Sequence, residues 1–299
     1  MGLLDRLAIS TLPLMPTGLM RKLSSRYIAG ETLESALSRL ETLTSRGFLG
    51  ALDILGEDVT NEAEAHSVAD DYIQAADQLK ARGLDTYISV KPTHLGLRLS
   101  EDLVFELYAK LLRHAASLDL FLRVEMEDHT TTDATLRIYE KLRPLAPDHV
   151  GIVIQSRLFR TPADIDALAE GRVNVRMVKG IYLEPEDIAP TQPDPIRDAY
   201  IEGARKLWQR GDYVALATHD EFMAERLVQA AEEEGVGKDR YEFQVLLGVR
   251  QPLWEMWRKA GHRVRVYVPY GPNWRAYSMR RLQKNPEIFR HVLRDLVRR

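Results

Sequence analysis

Cysteine is missing from all 299 residues. The chain therefore has no disulfide, no thiol nucleophile and no cysteine-ligated metal, and it suits a reducing, cytoplasmic location. Charge of one sign is also lacking: 41 basic against 44 acidic side chains leave a formal net charge of -3, which gives no bulk electrostatic reason to expect a nucleic-acid partner. No apolar run approaches the roughly 20 residues that a membrane-spanning helix needs. The opening stretch "MGLLDRLAISTLPLMPTGLM" is interrupted by Asp5, Arg6, Pro13 and Pro16, so it does not read as a signal peptide. The expected role is an amphipathic arm packed on its own domain, with docking on a membrane surface as the alternative.

What is present is enough apolar material, 45% of residues, for one large core or two modest ones. After the opening arm, Thr32–Gly47 is expected to be a helix, with Leu33, Leu37 and Leu40 on one stripe and Gly47 closing it. Short apolar, β-branched runs then alternate with longer helical patterns. The strand candidates are Phe48–Leu55, Thr86–Val90, Leu120–Met126 and Val150–Gln155, then Val173–Lys179, Tyr213–Thr218, Glu242–Leu247 and Arg263–Val268. Helical patterns between them include Asn61–Gly83, Ser100–Ala116, Thr131–Leu145, Pro162–Gly171 and Asp220–Gly235. Eight such repeats without a linker predict an α/β fold, a closed (β/α)8 TIM-type barrel over residues 47–299 behind an N-terminal helical arm at 1–46. A doubly wound open sheet is the rival, but no glycine-rich dinucleotide fingerprint follows the first strand.

Such barrels place their sites at the C-terminal ends of the strands, where an apolar interior is expected to meet solvent. Those ends carry Lys91, Glu125, Gln155, Arg176 with Lys179, Thr218 with His219, Gln244 and Tyr267. Beyond the last strand, "AYSMRRLQKNPE" places Tyr277, Arg280, Arg281 and Lys284 on one helical face. Taken alone, that face is a solvated basic stripe. Over a barrel mouth it becomes an anion clamp, because paired guanidinium forks hold a small carboxylate.

Three chemistries fit such a mouth. A divalent-metal barrel would use Glu125, Glu127, His129 and His219, but no second histidine stands at ligand spacing from His219. A non-catalytic binding barrel for amino acids would need the cations alone. A flavin-type redox site needs cations beside the ring, amides and hydroxyls to hold it, and a separate substrate clamp. Arg176, Lys179, Gln155, Thr218 and His219 suit the first two of these roles, and Lys91 with Arg280 and Arg281 suits the third.

In order, "NVRMVKGIY", "ATHD", "YEFQVLLGV", "RVYVPYG" and "AYSMRRL" resemble the proline dehydrogenase family, and the likeness extends through "SVKP", "VEMEDH" and "GIVIQ". The length is that of the stand-alone enzymes rather than of the bifunctional fusions. The resemblance implies non-covalent FAD on a (β/α)8 barrel, no metal, and oxidation of L-proline to Δ1-pyrroline-5-carboxylate. It also implies electron delivery to a membrane quinone, with peripheral contact at the inner face of the membrane. Carried over position by position, it implies catalytic roles for Glu125 and Arg176. Lys91, Arg280 and Arg281 would hold the substrate carboxylate, with Tyr267, Tyr277 and Leu246 around the ring. Met126, Gln155, Arg176, Lys179, Gly180, Ile181, Thr218 and His219 would hold the cofactor. Two positions depart from the family pattern. Glu125 stands where the family usually has Asp, and Lys284 stands where it has Glu, with Glu287 lying beyond Pro286.

Overall fold

The computed structural model describes residues 17–56, 58–182, 184–275 and 277–279. Eight parallel strands close into a barrel in sequence order. These are β1 (Leu49–Ile54), β2 (Thr86–Val90), β3 (Leu122–Val124), β4 (Val150–Gln155), β5 (Asn174–Val178), β6 (Tyr213–Ala217), β7 (Tyr241–Leu246) and β8 (Val264–Tyr270). Closure is the β1–β8 ladder, in register from Leu49 opposite Arg265 to Ile54 opposite Tyr270. The helices are α1 (Thr17–Ser24), α2 (Leu33–Ser45), α3 (Glu62–Ala81), α4 (Glu101–Ser117) and α5 (Thr132–Leu142), followed by α6 (Thr161–Ala167), α7 (Pro193–Gln209), α8 (Glu221–Glu233) and α9 (Gln251–Lys259). Side-chain caps set their starts: Asn61 accepts from the Glu64 N–H, Ser100 from Leu103, and Asp220 from Met223.

Most expected boundaries fall within two residues of those observed, and the exceptions have local causes. Helix α5 stops at Leu142 rather than Leu145, and Arg143–Leu145 tightens into a 3-10 turn around Pro144, which cannot donate an intrahelical bond. β3 is only three residues long, so Glu125 lies just past its end.

The period-2 alternation of the strands separates two environments. One set of positions, including Leu52, Ile88, Val124, Ile152, Val175, Leu216, Phe243 and Val266, is fully buried and aliphatic or aromatic. It faces the helices: Phe243 stacks on Trp257 of α9 at 4.1 Å, and the Tyr200 hydroxyl of α7 donates to the Met177 carbonyl. The other set points into the lumen and is polar on β2, β3, β7 and β8, with Ala51, Val153, Ala215 and Leu246 among it, so the interior is only partly the apolar one expected from the sequence. At its lower level, Arg265 donates to Glu242 (2.8 Å) and to the Gly50 carbonyl (2.7 Å), with its guanidinium 4.5 Å from the Tyr87 ring centroid. Arg123 donates to the Asn174 carbonyl (2.7 Å) and to its side chain (2.6 Å). Bulky guanidinium groups sit in this lumen on hydrogen bonds that offset much of their desolvation: Arg265 on a carboxylate, Arg123 on carbonyl and amide oxygens alone, so that burial still lowers the Arg123 pKa.

The outer ring of helices is completed from the N-terminal side. Helix α2 packs on β1 and β8 through Ala36, Leu37, Leu40 and Leu43. Its Glu34 and Glu41 pair with Arg82 at the end of α3, while Arg46, just past its own end, pairs with Glu255 of α9. It therefore occupies the place between α9 and α3 that a helix following β8 would otherwise fill. That leaves the chain after β8 free to turn elsewhere. Residues 274–275 and 277–279 are helical, and Trp274 packs with Met20, Ile28 and Leu55 in a small second cluster. A buried hydrogen bond from Ser24 to Ser278 (2.7 Å) ties α1 to this stretch.

Candidate active site at the mouth of the barrel

Alternate residues of neighbouring strands converge where the lumen opens. Arg176 on β5 sits at the centre. Its Nε donates to Gln244 Oε1 (2.6 Å), its Nη2 to the Tyr87 hydroxyl (2.9 Å) and to Ser89 Oγ (3.2 Å), and its Nη1 to Glu125 Oε1. Ser89 Oγ donates to the same Glu125 oxygen. The guanidinium also lies 5.4 Å from the centroid of the Tyr267 ring. Residues from β2, β3, β5, β7 and β8 can meet in this way only across the lumen, so the alternation along five separate strands fixes the position of one arginine. Burial alone would favour neutral Glu125, but Arg176, Ser89 and Lys91 outweigh it and lower the carboxyl pKa. Glu125 is consequently a carboxylate at neutral pH, and Arg176 is held firmly charged, burial notwithstanding, chiefly by Glu125.

Lys91 extends from the end of β2 and donates to Asp53 Oδ1 at 2.5 Å. Across the mouth, Gln155 Nε2 donates to the Glu127 carbonyl (2.6 Å), while its buried Oε1 has no hydrogen-bond partner among the described residues. Beside it, Gly180 has φ +96°, and a Cβ there would stand 2.7 Å from that same oxygen. Here the chain runs so close to the amide that a side chain is excluded. Ile181 is 59% exposed at the rim, and Met126 is buried. The Leu246 N–H donates to His219 Nε2 (3.1 Å), so a neutral His219 ring carries its proton on Nδ1. Thr218 Oγ1 accepts from the Asp220 N–H (3.0 Å).

The Lys179 side chain does not enter the lumen cluster. It donates to Asp220 Oδ2 (2.7 Å), which also accepts from Arg197 Nε (2.8 Å). Burial raises the Asp220 carboxyl, but Lys179, Arg197 and the Met223 N–H overcome it and bring its pKa to about 2. A depressed carboxylate stabilises the fold above its unfolded pKa of roughly 3.9 and loses that contribution as pH falls toward the folded value. Asp220→Asn is thus expected to cost about 1 kcal/mol at neutral pH after solvent screening. Its melting temperature should converge on that of the parent between pH 4 and about pH 2. Thermal unfolding across that window checks this, and a pH-independent gap would contradict it.

Tyr277 is partly buried against the Met20–Trp274 cluster and stands close enough to raise the pKa of the Tyr267 hydroxyl, an effect secondary to burial. Arg280 and Arg281 lie outside the described residues, as do Lys284 and Glu287. The metal reading loses its donors. Glu127 accepts from the Thr93 N–H and hydroxyl, His129 pairs with Glu184, and the Nε2 lone pair of His219 is taken. Among the described residues no three His, Asp or Glu side chains form a group that could hold a metal ion.

The comparison that decides the family spans most of the chain: a sequence profile described as proline dehydrogenase matches residues 36–292. The chain belongs to the proline dehydrogenase family. Among family members, a proline dehydrogenase of Deinococcus radiodurans is 35% identical over 283 residues, 93% of this chain and 91% of its own. Proline dehydrogenase 2 of Bacillus subtilis is 33% identical over 279 residues, 93% of this chain and 92% of its own. Of solved structures, proline utilization A from Bdellovibrio bacteriovorus, inactivated by N-propargylglycine, superposes with a TM-score of 0.83 at 22% identity. That match covers 92% of this chain and 36% of the other. The Bradyrhizobium japonicum protein of the same name gives 0.74 at 25% identity, covering 86% of this chain and 30% of the other. Both likenesses bear out the barrel expected from the sequence.

Within this proline dehydrogenase barrel, sequence reasoning gave no part to Tyr87, Ser89, Asp53 or Glu242, and none to Gln244 beyond its place at a strand end. The signal was available. Tyr87-Ser89-Lys91, Arg123-Glu125-Glu127 and Glu242-Gln244 are polar at every second position, which marks one face of each strand as a polar lumen.

Proposed function

We propose that this member of the family binds FAD non-covalently at the barrel mouth and oxidises L-proline to Δ1-pyrroline-5-carboxylate. The family makes it an oxidoreductase acting on proline in proline catabolism. The observation that carries the finer reading is Arg176: a buried guanidinium, fixed by partners from β2, the end of β3, β7 and β8, with an amide acceptor that lacks a donor on the adjacent β4. When bound, FAD supplies a two-electron acceptor that takes hydride at N5 from the substrate carbon next to nitrogen.

The protein's part is binding, orientation and electrostatics. Gln155 Oε1 would accept an N–H of the cofactor ring, and the backbone at Lys179, Gly180 and Ile181, with Thr218, His219 and buried Met126, would line the ring's seat. Arg176 would supply fixed positive charge where reduction creates negative charge, without reorganising to do so. Lys91, with Arg280 and Arg281, would hold the substrate carboxylate, while Tyr267, Tyr277 and Leu246 enclose the ring. Such a clamp makes the transfer effectively unimolecular. Glu125, kept ionised, would favour the positive charge that develops at the substrate nitrogen as hydride leaves the adjacent carbon. We further assign electron delivery to a quinone at the membrane surface, from a cytoplasmic protein. Among the described residues no helix is long and apolar enough to cross a membrane.

The test is direct. Purified protein is expected to be yellow and to bleach when proline is added without air; colourless protein, or colour indifferent to proline, overturns the proposal. Gly180→Ala probes the cofactor seat separately. Positive φ and the 2.7 Å approach to Gln155 Oε1 both penalise a Cβ, at about 1–3 kcal/mol for such backbone strain, or roughly a tenfold or greater loss of FAD affinity. Flavin titration of the apoprotein measures it, and an unchanged Kd would remove Gly180 from the seat.

A further inference from the structure

Three carboxylates surround the Lys91 ammonium, and two of them have other work. Glu125 accepts from Arg176 and Ser89. Glu127 accepts from the Thr93 N–H (3.0 Å) and hydroxyl (2.7 Å). The third, Asp53 on β1, is fully buried and receives Lys91 Nζ at 2.5 Å, with the Tyr267 hydroxyl close enough to favour its charge as well. A lysine side chain is a flexible stem ending in a point charge. Without a fixed partner its ammonium would sample several rotamers. Here the partner sits on a strand end that is itself braced: the Ile54 N–H donates to the Tyr72 hydroxyl (3.2 Å), which donates on to the Ser89 carbonyl (3.0 Å).

We propose that Asp53 is a positioning residue for substrate capture: it fixes the Lys91 ammonium at the lumen mouth, where the carboxylate of proline docks. The inference rests on the assignment of Lys91 to that carboxylate. A second consequence follows from charge. Burial disfavours the Lys91 ammonium, but Asp53, then Glu125 and Glu127, more than compensate and raise its pKa, while burial raises the Asp53 carboxyl against the opposing pull of Lys91. The remaining titratable groups facing the pair are His94 toward Lys91, and Tyr72, Tyr267 and Tyr270 toward Asp53. Burial pushes His94 down to about 3 and all three tyrosines up, so none of them changes charge between pH 6 and 9. Removing the charge of Asp53 leaves desolvation of Lys91 opposed by weaker, more distant carboxylates.

The experiment uses the holoenzyme and cyclopentanecarboxylate, an anion with the size of proline but no amine, so the ligand's own charge is constant. Affinity is followed by titration calorimetry from pH 6 to 9. The parent is expected to vary by less than about twofold over that range, because its ammonium persists. Asp53→Asn is expected to bind about tenfold more weakly at pH 7 and to lose roughly another tenfold as pH rises and Lys91 discharges. Asp53→Glu should recover the flat pH profile but not the full affinity, since it keeps charge and moves the ammonium. For proline, KM should rise in both variants while flavin reduction at saturating proline changes by less than about threefold, as expected when uniform binding is lost. Flavin content should be unchanged, because Gln155 and Gly180 lie across the mouth on β4 and after β5.

Lys91→Met separates the two ideas. If it weakens the anion while Asp53→Asn stays as tight and as pH-independent as the parent, the role of Asp53 is overturned and that of Lys91 survives. If Lys91→Met itself binds normally, the assignment of Lys91 fails and the inference falls with it. Should Asp53→Asn not fold, an unaltered affinity in Asp53→Glu is sufficient to overturn the inference.

Discussion

Arg176→Ala is expected to slow flavin reduction by proline by about 10²–10³-fold, the range for losing one preorganised donor from an electrostatic site. The effect should fall on the rate constant at saturating proline rather than on proline affinity, because Arg176 faces the lumen cluster and not the Lys91–Asp53 side of the mouth. Its removal also leaves Gln244 Oε1 and the Glu125 carboxylate short of a donor. Burial would then raise the Glu125 pKa, which Arg176 is the largest influence in lowering. A new pH dependence of the reduction rate, steeper toward acid, should therefore accompany the loss. Stopped-flow reduction across pH 6–9 measures both, and an undiminished rate would contradict the assignment.

The largest stability effect is expected deeper in the barrel. Glu242→Ala strips the buried Arg265 of its nearer carboxylate, leaving only Asp85 at 3.5 Å among the described residues, and Gln244 Nε2 of an acceptor. Removing one member of a buried ion pair costs about 3–5 kcal/mol, because the other charge stays desolvated. For a chain of this size that is roughly a 5–8 °C fall in melting temperature. Replacing both members, Glu242→Met with Arg265→Met, should restore most of it by exchanging a charged layer for an apolar one of similar volume. A single variant within about 1 kcal/mol of the parent would mean that the lower lumen is wet enough to solvate a lone guanidinium.

How much of this was legible in advance follows the physics of each signal. The strands and the barrel could be read because β-branched runs such as "VGIVIQ" and "TYISV" recur at βα spacing. The site was legible at strand ends, since a charged group such as Lys91 or Arg176 interrupting an apolar run is conspicuous. Asp53 and Ser89 were not, because one polar residue inside "ALDIL" or "TYISV" looks like tolerance rather than purpose. Only the closed register, which brings Asp53 to Lys91, 38 positions on, and Ser89 to Glu125 and Arg176, 36 and 87 positions on, reveals what they do. The expectation of an apolar interior held only in part for the same reason. Pairing across a lumen has no local periodicity, so Arg265 and Glu242 could not be matched by eye. Leu37 and Leu40 of the α2 stripe were plain from the sequence, though it runs on to Leu43 and leaves Leu33 only partly buried; that α2 would lie between α9 and α3 was not, since its partners Arg82 and Glu255 are far along the chain.

That placement bears on how the molecule assembles. The helix synthesised among the first is the one that seals the seam between the first strand and the last, so its landing site is incomplete until β8 has been made. Closure therefore waits for contacts spanning more than 200 positions, and such long-range pairing is intrinsically slow. Until then the leucine face of α2 has β1 but not β8 to cover it. A nascent chain stalled before β8 is expected to carry that sticky helix partly exposed, and to be the species that aggregates or recruits a chaperone.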